Sequence, residues 1–256
     1  MKQLPNLFTV LNLVFGCIAI IFILQNGIAI YTDAATGTQL IDIPEKIWLA
    51  SLFIGMAALV DFLDGFVARL FNSQSAMGRE LDSLADIVSF GVAPGLIIYQ
   101  FLRLSYAHGP DGLNTSMIWL VPALLLPCAA AWRLAKFNLD TSGGAYSFKG
   151  MPVPAVGLFI ASLPLVYWNV NEAWAINLLV NKWVLYGIVI LFSFLMTSSI
   201  PFISLKFRNV NVKKNLPQFL LIGMAILSVV IFQWLAGPVI ILAYILVSLI
   251  FKNKMA

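Results

Sequence analysis

The sequence predicts an all-α protein, a polytopic integral membrane bundle of about eight transmembrane helices that forms a single domain over residues 1–256. Apolar residues make up 61% of the chain, charged residues make up 10%, and the mean hydropathy is +0.94. These values lie outside the range of soluble domains. Apolar runs of roughly 17 to 25 residues, long enough to cross a hydrocarbon core, recur along the chain. We place the spans at 7–25, 46–70, 82–103, 116–137, 152–170, 181–200, 216–234 and 236–251.

Local signals set the ends of these spans. The first span follows Lys2 and stays in the protein on this interpretation, because no convincing small-residue cleavage site follows it. The second span ends, and the third begins, in a stretch rich in aspartate. The fourth ends in basic residues, Pro152 opens the fifth, and the sixth ends before another basic segment. Gly237 and Pro238 between the last two spans indicate either a short turn or a re-entrant hairpin.

The basic residues favour one orientation in the membrane. With eight spans and cytoplasmic N- and C-termini, only Lys46, Arg103 and Lys182 lie outside. The basic residues that then lie inside are Lys2, Arg69, Arg79, Arg133, Lys136, Lys149, Lys206, Arg208, Lys213, Lys214, Lys252 and Lys254. This asymmetry follows the positive-inside rule and predicts a multi-pass protein of a bacterial inner or plasma membrane. The net charge of +4 needs no nucleic acid partner, because basic inner loops near anionic membrane lipid explain it.

Four aspartates interrupt the apolar pattern within residues 61–86. Asp61 and Asp64 are three residues apart, and Asp82 and Asp86 are four apart, so each pair shares a helix face. Ionisable groups at membrane depth cost a few kcal/mol each, which makes them candidates for a functional site. Carboxylate oxygens without a nearby His or Cys suit hard cations, so these four residues, the aspartate set, predict a site for one or two Mg²⁺ or Mn²⁺ ions. A solvated acidic loop is the alternative.

Small and cationic residues accompany the aspartate set. Gly65, Ala68 and Gly78 remove side-chain bulk beside the carboxylates, which lets another backbone or a bound phosphate come close. Arg69 supplies a fork-shaped cation suited to phosphate oxygens. The combination predicts a phosphate-bearing ligand next to the metal, and the predicted orientation places both at the cytoplasmic face.

Polar residues at the start of the first span form a second candidate site for the same ligand. Asn6, Thr9 and Asn12 are three residues apart and so share a helix face. A helix start with polar side chains and free N–H groups can receive a phosphate. Helix capping and interhelical hydrogen bonds are the alternative explanation of this pattern.

Basic segments near the ends of two other spans lie at the same face. Arg133 and Lys136 are one turn apart, Asn138 follows them, and Lys149 precedes the fifth span. Basic residues at a cytoplasmic helix end usually mark topology and reach toward the interface. The neighbouring aspartate set favours a second role for them, in binding an anionic acceptor.

The aspartate set together with Gly65, Ala68, Arg69 and Gly78 resembles, in identity and spacing, the signature of the CDP-alcohol phosphotransferases. These are integral membrane enzymes that make phospholipid head groups. The flanking segments are similar to those of the phosphatidylserine synthases of bacterial and archaeal type within this family. Those segments read PNLFTVLNLVFG, RLAKFN, FKGMPVPA and IPFISLKF.

The resemblance implies a helical membrane enzyme, usually a homodimer, that converts CDP-diacylglycerol and L-serine to phosphatidylserine and CMP. It also implies that the aspartate set holds two metal ions, that Asp86 is the proton acceptor, and that Gly65, Arg69 and Ser75 contact the CDP part of the lipid. The expected sites are then the CDP-lipid site, Asn6, Thr9, Gly65, Ala68, Arg69, Ser75 and Gly78, and the acceptor site, Arg133, Lys136, Asn138 and Lys149.

Two alternatives stay open at this point. A sister enzyme would use glycerol 3-phosphate, inositol phosphate or choline as the acceptor, and the inner surface has basic residues enough for a phosphorylated acceptor. Eight spans, rather than the six usual for those relatives, and the flanking segments favour serine. A cation transporter would use the aspartates as an ion relay, but the interleaved Gly, Ala and Arg suit a phosphate ligand better than a bare cation.

Overall fold

The computed structural model describes residues 4–32, 39–70, 75–109, 112–139, 147–203 and 216–251. Within these ranges the chain is mostly helical, which confirms the predicted class. The helices are α1 (Leu4–Gln25), α2 (Trp48–Leu70), α3 (Ala76–Asp86), α4 (Ala93–Ala107), α5 (Leu125–Leu139), α6 (Val153–Asn169), α7 (Ala173–Leu179), α8 (Lys182–Thr197), α9 (Leu216–Phe232) and α10 (Ala236–Phe251). The strands are β1 (Ala29–Thr32), β2 (Gln39–Asp42), β3 (Ser147–Lys149) and β4 (Pro201–Ile203).

Several helices are long and apolar enough to cross a membrane. They are the four stretches Pro5–Gln25, Glu45–Val67, Ala76–Ala107 and Leu216–Phe251, with a fifth if the bent pair α7 and α8 counts as one span. Each of the eight predicted spans overlaps a helix, but some of these helices are short, such as α5 with 15 residues and α6 with 17. The count of eight and the orientation of the termini therefore stay predictions.

The third helical stretch begins at Ala76 instead of at residue 82 as predicted. Ser75 caps it, because its hydroxyl accepts a hydrogen bond from the Gly78 N–H at 2.9 Å. The predicted span began too late because the residues at 76–81 are mostly polar and do not extend the apolar run. A capping serine can nevertheless start a helix in polar sequence. The stretch continues to Ala107 through a π-helical turn, Ile87–Val92. The third and fourth aspartates thus lie inside a helix.

Two other spans differ from single straight helices. In the fourth, 3-10 turns over Met117–Trp119 and Val121–Leu124 precede α5, because Pro122 has no N–H to donate to a regular helix. Before the sixth, the chain forms the unpredicted helix α7, which meets α8 at an angle of 64°. Asn181 starts α8 by accepting a hydrogen bond from the Trp183 N–H at 2.9 Å.

Two short antiparallel ribbons, β1–β2 and β3–β4, are absent from the all-α prediction. Runs of three or four residues carry too little periodicity to be recognised in a sequence. The first ribbon is tied to the end of α6, where the Tyr167 hydroxyl donates to Asp42 Oδ1 at 2.6 Å. In the second ribbon, β3 is followed by Gly150 before α6 begins. Gly150 has a φ of +81°, and a Cβ added to it would overlap the Met196 carbonyl oxygen, so a side chain has no room there.

Close helix crossings surround the π-helical turn. Gly16 of α1 contacts Ser89, and Gly91 lies close to α5. A Cβ added to Gly157 of α6 would lie 2.9 Å from Phe90 Cβ and 3.0 Å from Phe90 Cα. Three helices therefore pack directly against the segment that follows α3.

Gly157→Ala should lower the melting temperature of the detergent-purified protein by several degrees. The new methyl group would overlap the Phe90 backbone, and overpacking of this kind costs about 1 to 3 kcal/mol. Gly187→Ala is the matched control, because it makes the same change in a helix where nothing lies within 4 Å of the new Cβ. Equal melting temperatures for the two variants, measured by fluorescence-detected size exclusion after heating, would contradict this packing.

Candidate active site

The aspartate set gathers between the end of α2 and the neighbouring α3. One carboxylate oxygen each from Asp61, Asp64 and Asp82 lies within 4.8 Å of the others. Asp64 and Asp86 are buried, with 7% and 6% of their surface exposed, and Asp61 and Asp82 are half-buried. Two pairs of carboxylates that are distant in sequence thus meet in one place.

Helix α1 supplies hydrogen bonds to two of these carboxylates. The Thr9 hydroxyl lies 2.8 Å from Asp64 Oδ2, and the Asn12 amide donates to Asp86 Oδ1 at 3.3 Å. Thr9 and Asn12 are buried, and their spacing of three residues turns both toward the aspartate set. Interhelical hydrogen bonding was the alternative explanation of the pattern of Asn6, Thr9 and Asn12. It applies to Thr9 and Asn12. Asn12 belongs to the predicted polar pattern but not to the expected CDP-lipid site, although its spacing from Thr9 was the signal for a role there.

The π-helical turn connects the fourth aspartate to α1. The Ser89 hydroxyl in this turn donates to the Asn12 carbonyl oxygen at 3.1 Å, and the Asn12 amide in turn donates to Asp86. A π turn holds one more residue than an α-helical turn and often occurs at functional sites. These two hydrogen bonds connect the three buried residues and hold the Asp86 carboxylate against α1.

The electrostatics of the aspartate set fit a bound cation. Two ionised carboxylates within 4.8 Å repel each other by at least about 3 kcal/mol at an effective dielectric constant of 20. Asn12 Oδ1 is also buried there and has no hydrogen-bond partner among the described residues. A cluster of aspartate oxygens with an amide oxygen beside it is a donor set that hard divalent cations prefer. The residues therefore fit a divalent metal centre.

Three residues of the predicted CDP-lipid site lie on, or directly before, the helices that carry the aspartates. Gly65 follows Asp64 directly and is half-buried. Gly78 faces α1, since a Cβ added to it would lie 3.0 Å from Asn6 Oδ1. Ser75 is exposed and caps α3. The start of α1 and the first turn of α3 therefore face each other next to the carboxylates.

Arg133 of α5 is the predicted acceptor residue that the structure buries beside the aspartate set. Only 8% of its surface is exposed, and its Nε has no hydrogen-bond partner among the described residues. The guanidinium carbon lies 5.9 Å from the centre of the Phe137 ring. The cation lies within electrostatic range of the Asp86 carboxylate. A buried guanidinium without a hydrogen-bonded anion is costly, so this site suits an anionic ligand.

The other predicted acceptor residues lie elsewhere or outside the described part. Lys136 is exposed. The Asn138 amide donates to Ser83 Oγ at 3.0 Å and lies 3.4 Å from the Glu80 carboxylate, so it connects α5 to α3. The predicted residues whose side chains lie outside the described part are Ala68, Arg69 and Lys149.

Comparison with known proteins agrees with the signature. The sequence profile of the CDP-alcohol phosphatidyltransferases matches residues 2–198. The chain belongs to this family. A protein of Helicobacter pylori named CDP-diacylglycerol–serine O-phosphatidyltransferase is 31% identical over 98% of this chain and 96% of its own length. Proteins of the same name from Mycobacterium tuberculosis and Bacillus subtilis are 33% and 32% identical, over 95% and 65% of this chain and 76% and 78% of their own lengths.

Thr9→Val should weaken the binding of Mn²⁺ about tenfold, because it removes the hydroxyl that orients Asp64 while keeping the shape of the side chain. The measurement is the Mn²⁺ concentration that gives half of the maximal thermal stabilisation of the purified protein. Thr197→Val is the matched control, since that hydroxyl bonds only to the backbone of its own helix. The same Mn²⁺ midpoint for both variants and wild type would show that Thr9 does not support a metal ligand.

Proposed function

We propose that this protein transfers the phosphatidyl group of CDP-diacylglycerol to L-serine and releases phosphatidylserine and CMP. The observation that carries the proposal is the clustered aspartate set, in a family member similar over nearly its whole length to proteins named for this reaction. The buried Arg133 beside Asp86 adds a cation for the carboxylate of an amino acid acceptor.

The reaction replaces one oxygen on the lipid-bearing phosphorus by another. The serine hydroxyl oxygen forms a bond to this phosphorus, and the bond from the phosphorus to the bridging oxygen of the diphosphate breaks, so that CMP departs with that oxygen. In the proposed site the aspartate set holds two Mg²⁺ or Mn²⁺ ions. Divalent ions bound there neutralise charge on the phosphate oxygens and on departing CMP.

Asp86 is the proposed base for the serine hydroxyl. A protonated hydroxyl is a poor nucleophile, and a carboxylate within reach can take its proton at the moment of attack. Burial and the hydrogen bond from Asn12 hold the Asp86 carboxylate in one orientation. The position of Arg133 near Asp86 would bring the acceptor's carboxylate to the side of the site where this base lies.

The proposed CDP-lipid site lies where the start of α1 meets the first turn of α3. Asn6 and Gly78 face each other there, Gly65 lies next to Asp64, and the exposed Ser75 caps α3. We assign Thr9 to the support of Asp64 as well as to this site, because its hydroxyl lies against the carboxylate. The further residues that we propose from the family signature are Ala68 and Arg69 for the CDP-lipid and Lys136, Asn138 and Lys149 for the acceptor.

The proposed topology has eight spans with cytoplasmic termini and the active site at the cytoplasmic face. The helical stretch Leu216–Phe251 has 36 residues, about 54 Å if straight, which exceeds the thickness of a hydrocarbon core of about 30 Å. A 3-10 turn at Gln233–Leu235, with a φ of 46° at Gln233, divides it into α9 and α10, which contact each other. This division supports two spans. A homodimer is proposed from the family resemblance.

Purified protein with CDP-diacylglycerol and Mg²⁺ or Mn²⁺ should release CMP when L-serine is added and not when glycerol 3-phosphate, inositol phosphate or choline is added. The measurement is the metal-dependent rate of CMP release for each labelled acceptor. CMP release with a different acceptor alone would assign the protein to a sister activity. The lack of CMP release with every acceptor would instead favour a cation transporter.

Asp86→Asn should lower turnover by about 10²- to 10⁴-fold, because the amide cannot take the serine proton. Binding of CDP-diacylglycerol, measured directly with labelled lipid, should persist in this variant. Asp42→Asn makes the same chemical change in the β1–β2 ribbon at the far end of α6, and it should turn over like wild type. Turnover of Asp86→Asn at the wild-type rate would reject Asp86 as the base.

A further inference from the structure

Asn12 of α1 presents a buried amide oxygen without a partner beside the aspartate set. The residue is fully buried, with 0% of its surface exposed, and its Oδ1 has no hydrogen-bond partner among the described residues. A buried polar atom that lacks a partner costs about 1 to 3 kcal/mol, so its presence calls for an explanation such as a bound ion. The Asn12 oxygen therefore needs a group that the described part of the chain does not supply.

Two hydrogen bonds hold Asn12 in its orientation. Its Nδ2 donates to Asp86 Oδ1 at 3.3 Å, and its backbone carbonyl oxygen accepts from Ser89 Oγ at 3.1 Å. One turn further along α1, a Cβ added to Gly16 would overlap Ser89 Oγ, so the glycine leaves room for this serine. Turning the amide over would place its oxygen against the Asp86 carboxylate, where two acceptors would repel each other. The amide nitrogen thus serves Asp86, and the oxygen is left for another group.

A divalent ion at the aspartate set is the group that this oxygen suits. Asn12 contacts Asp86 directly, and Thr9, three residues earlier on the same face of α1, lies 2.8 Å from Asp64 Oδ2. Amide oxygens are ordinary ligands of hard divalent cations. A neutral oxygen also adds a ligand without further negative charge, whereas a fifth carboxylate would increase the repulsion among the four aspartates.

We propose that Asn12 Oδ1 is a direct ligand of a divalent ion held by the aspartate set. Asn12 lies on α1, outside the stretch 61–86 that carries the signature, so the metal site would take ligands from α1 as well as from α2 and α3. The inference rests on the metal centre of the proposed function and adds one residue to it. The two ends of the amide then have different roles, because the nitrogen orients Asp86 and the oxygen binds the ion.

The test replaces the proposed ligand by a thiolate and asks whether a metal ion bonds to the sulfur. Asn12→Cys is made in full-length protein in which the free cysteines Cys17 and Cys128 have been replaced by alanine. Co²⁺ bonded to a thiolate has an intense charge-transfer absorption in the near ultraviolet, which Co²⁺ bound through oxygen alone lacks. We expect Asn12→Cys to gain this band, saturating with added Co²⁺. It should also bind Mn²⁺ at least about tenfold more weakly, because a soft thiolate suits a hard ion poorly.

Ser89→Cys in the same cysteine-free protein is the matched control. It places a buried thiol on the same chain of hydrogen bonds, but against the Asn12 backbone carbonyl oxygen instead of the aspartate set. It should show no thiolate band with Co²⁺. The same band in Ser89→Cys and Asn12→Cys would overturn the assignment, because the sulfur would then report no particular position.

A second measurement leaves Asn12 unchanged and so does not depend on how its variants fold. Wild-type protein with ¹³C in the side-chain carbonyl groups of asparagine is loaded with Mn²⁺ and measured by electron–nuclear double resonance. A bonded amide oxygen should give a ¹³C coupling, and Asn6→Ala should keep it. Saturable Mn²⁺ binding by wild type tests the metal centre separately, and its absence would overturn both. Given that binding, absence of the ¹³C coupling, or of the thiolate band when Asn12→Cys binds Co²⁺, would overturn the role of Asn12 alone.

Discussion

Repulsion among the clustered carboxylates governs how the helices around them are arranged. Three aspartates from two helices bring oxygens within 4.8 Å of one another, and two members of the aspartate set are buried. Helix α1 partly offsets this repulsion, because Thr9 and Asn12 form hydrogen bonds with two of the carboxylates. A hydrogen bond from the π-helical turn after α3 holds Asn12 in place. The close crossings at Gly16, Gly91 and Gly157 bring α1, α5 and α6 against this turn. These helices surround a negatively charged centre that a divalent cation would complete.

Among the residues that the structure describes, one buried cation, on α5, complements this negative centre. Arg133 interacts with Asp86 from outside the cluster of the three other aspartates. In the proposed reaction the metal ions at the aspartate set receive the diphosphate, and Arg133 receives the acceptor's carboxylate. Asp86 interacts electrostatically with the other aspartates and with Arg133, and it is the proposed base for the acceptor's proton. The arrangement explains how one carboxylate of four can have a second role.

The sequence predicted the helical class and the position of the aspartate set, because long apolar runs and fixed carboxylate spacing are local properties of a chain. It did not predict the start of α3 at Ala76, since a capping hydrogen bond outweighed hydropathy there. It also missed α7, the π-helical turn and the two ribbons, which are short and lack periodicity. The contacts of Asn12 with Asp86 and of Tyr244 with β4 join residues far apart in the chain. Only tertiary packing decides such contacts.

We propose that the aspartate set is a divalent-metal centre. The most direct test is to count the Mn²⁺ ions bound per chain, by electron paramagnetic resonance of the purified protein with CDP-diacylglycerol present. Wild type should bind two ions saturably, and this binding should be lost when Asp61 and Asp82 are both replaced by asparagine. Absence of saturable binding in wild type, or equal binding in wild type and the double variant, would show that the aspartate set is not a metal centre.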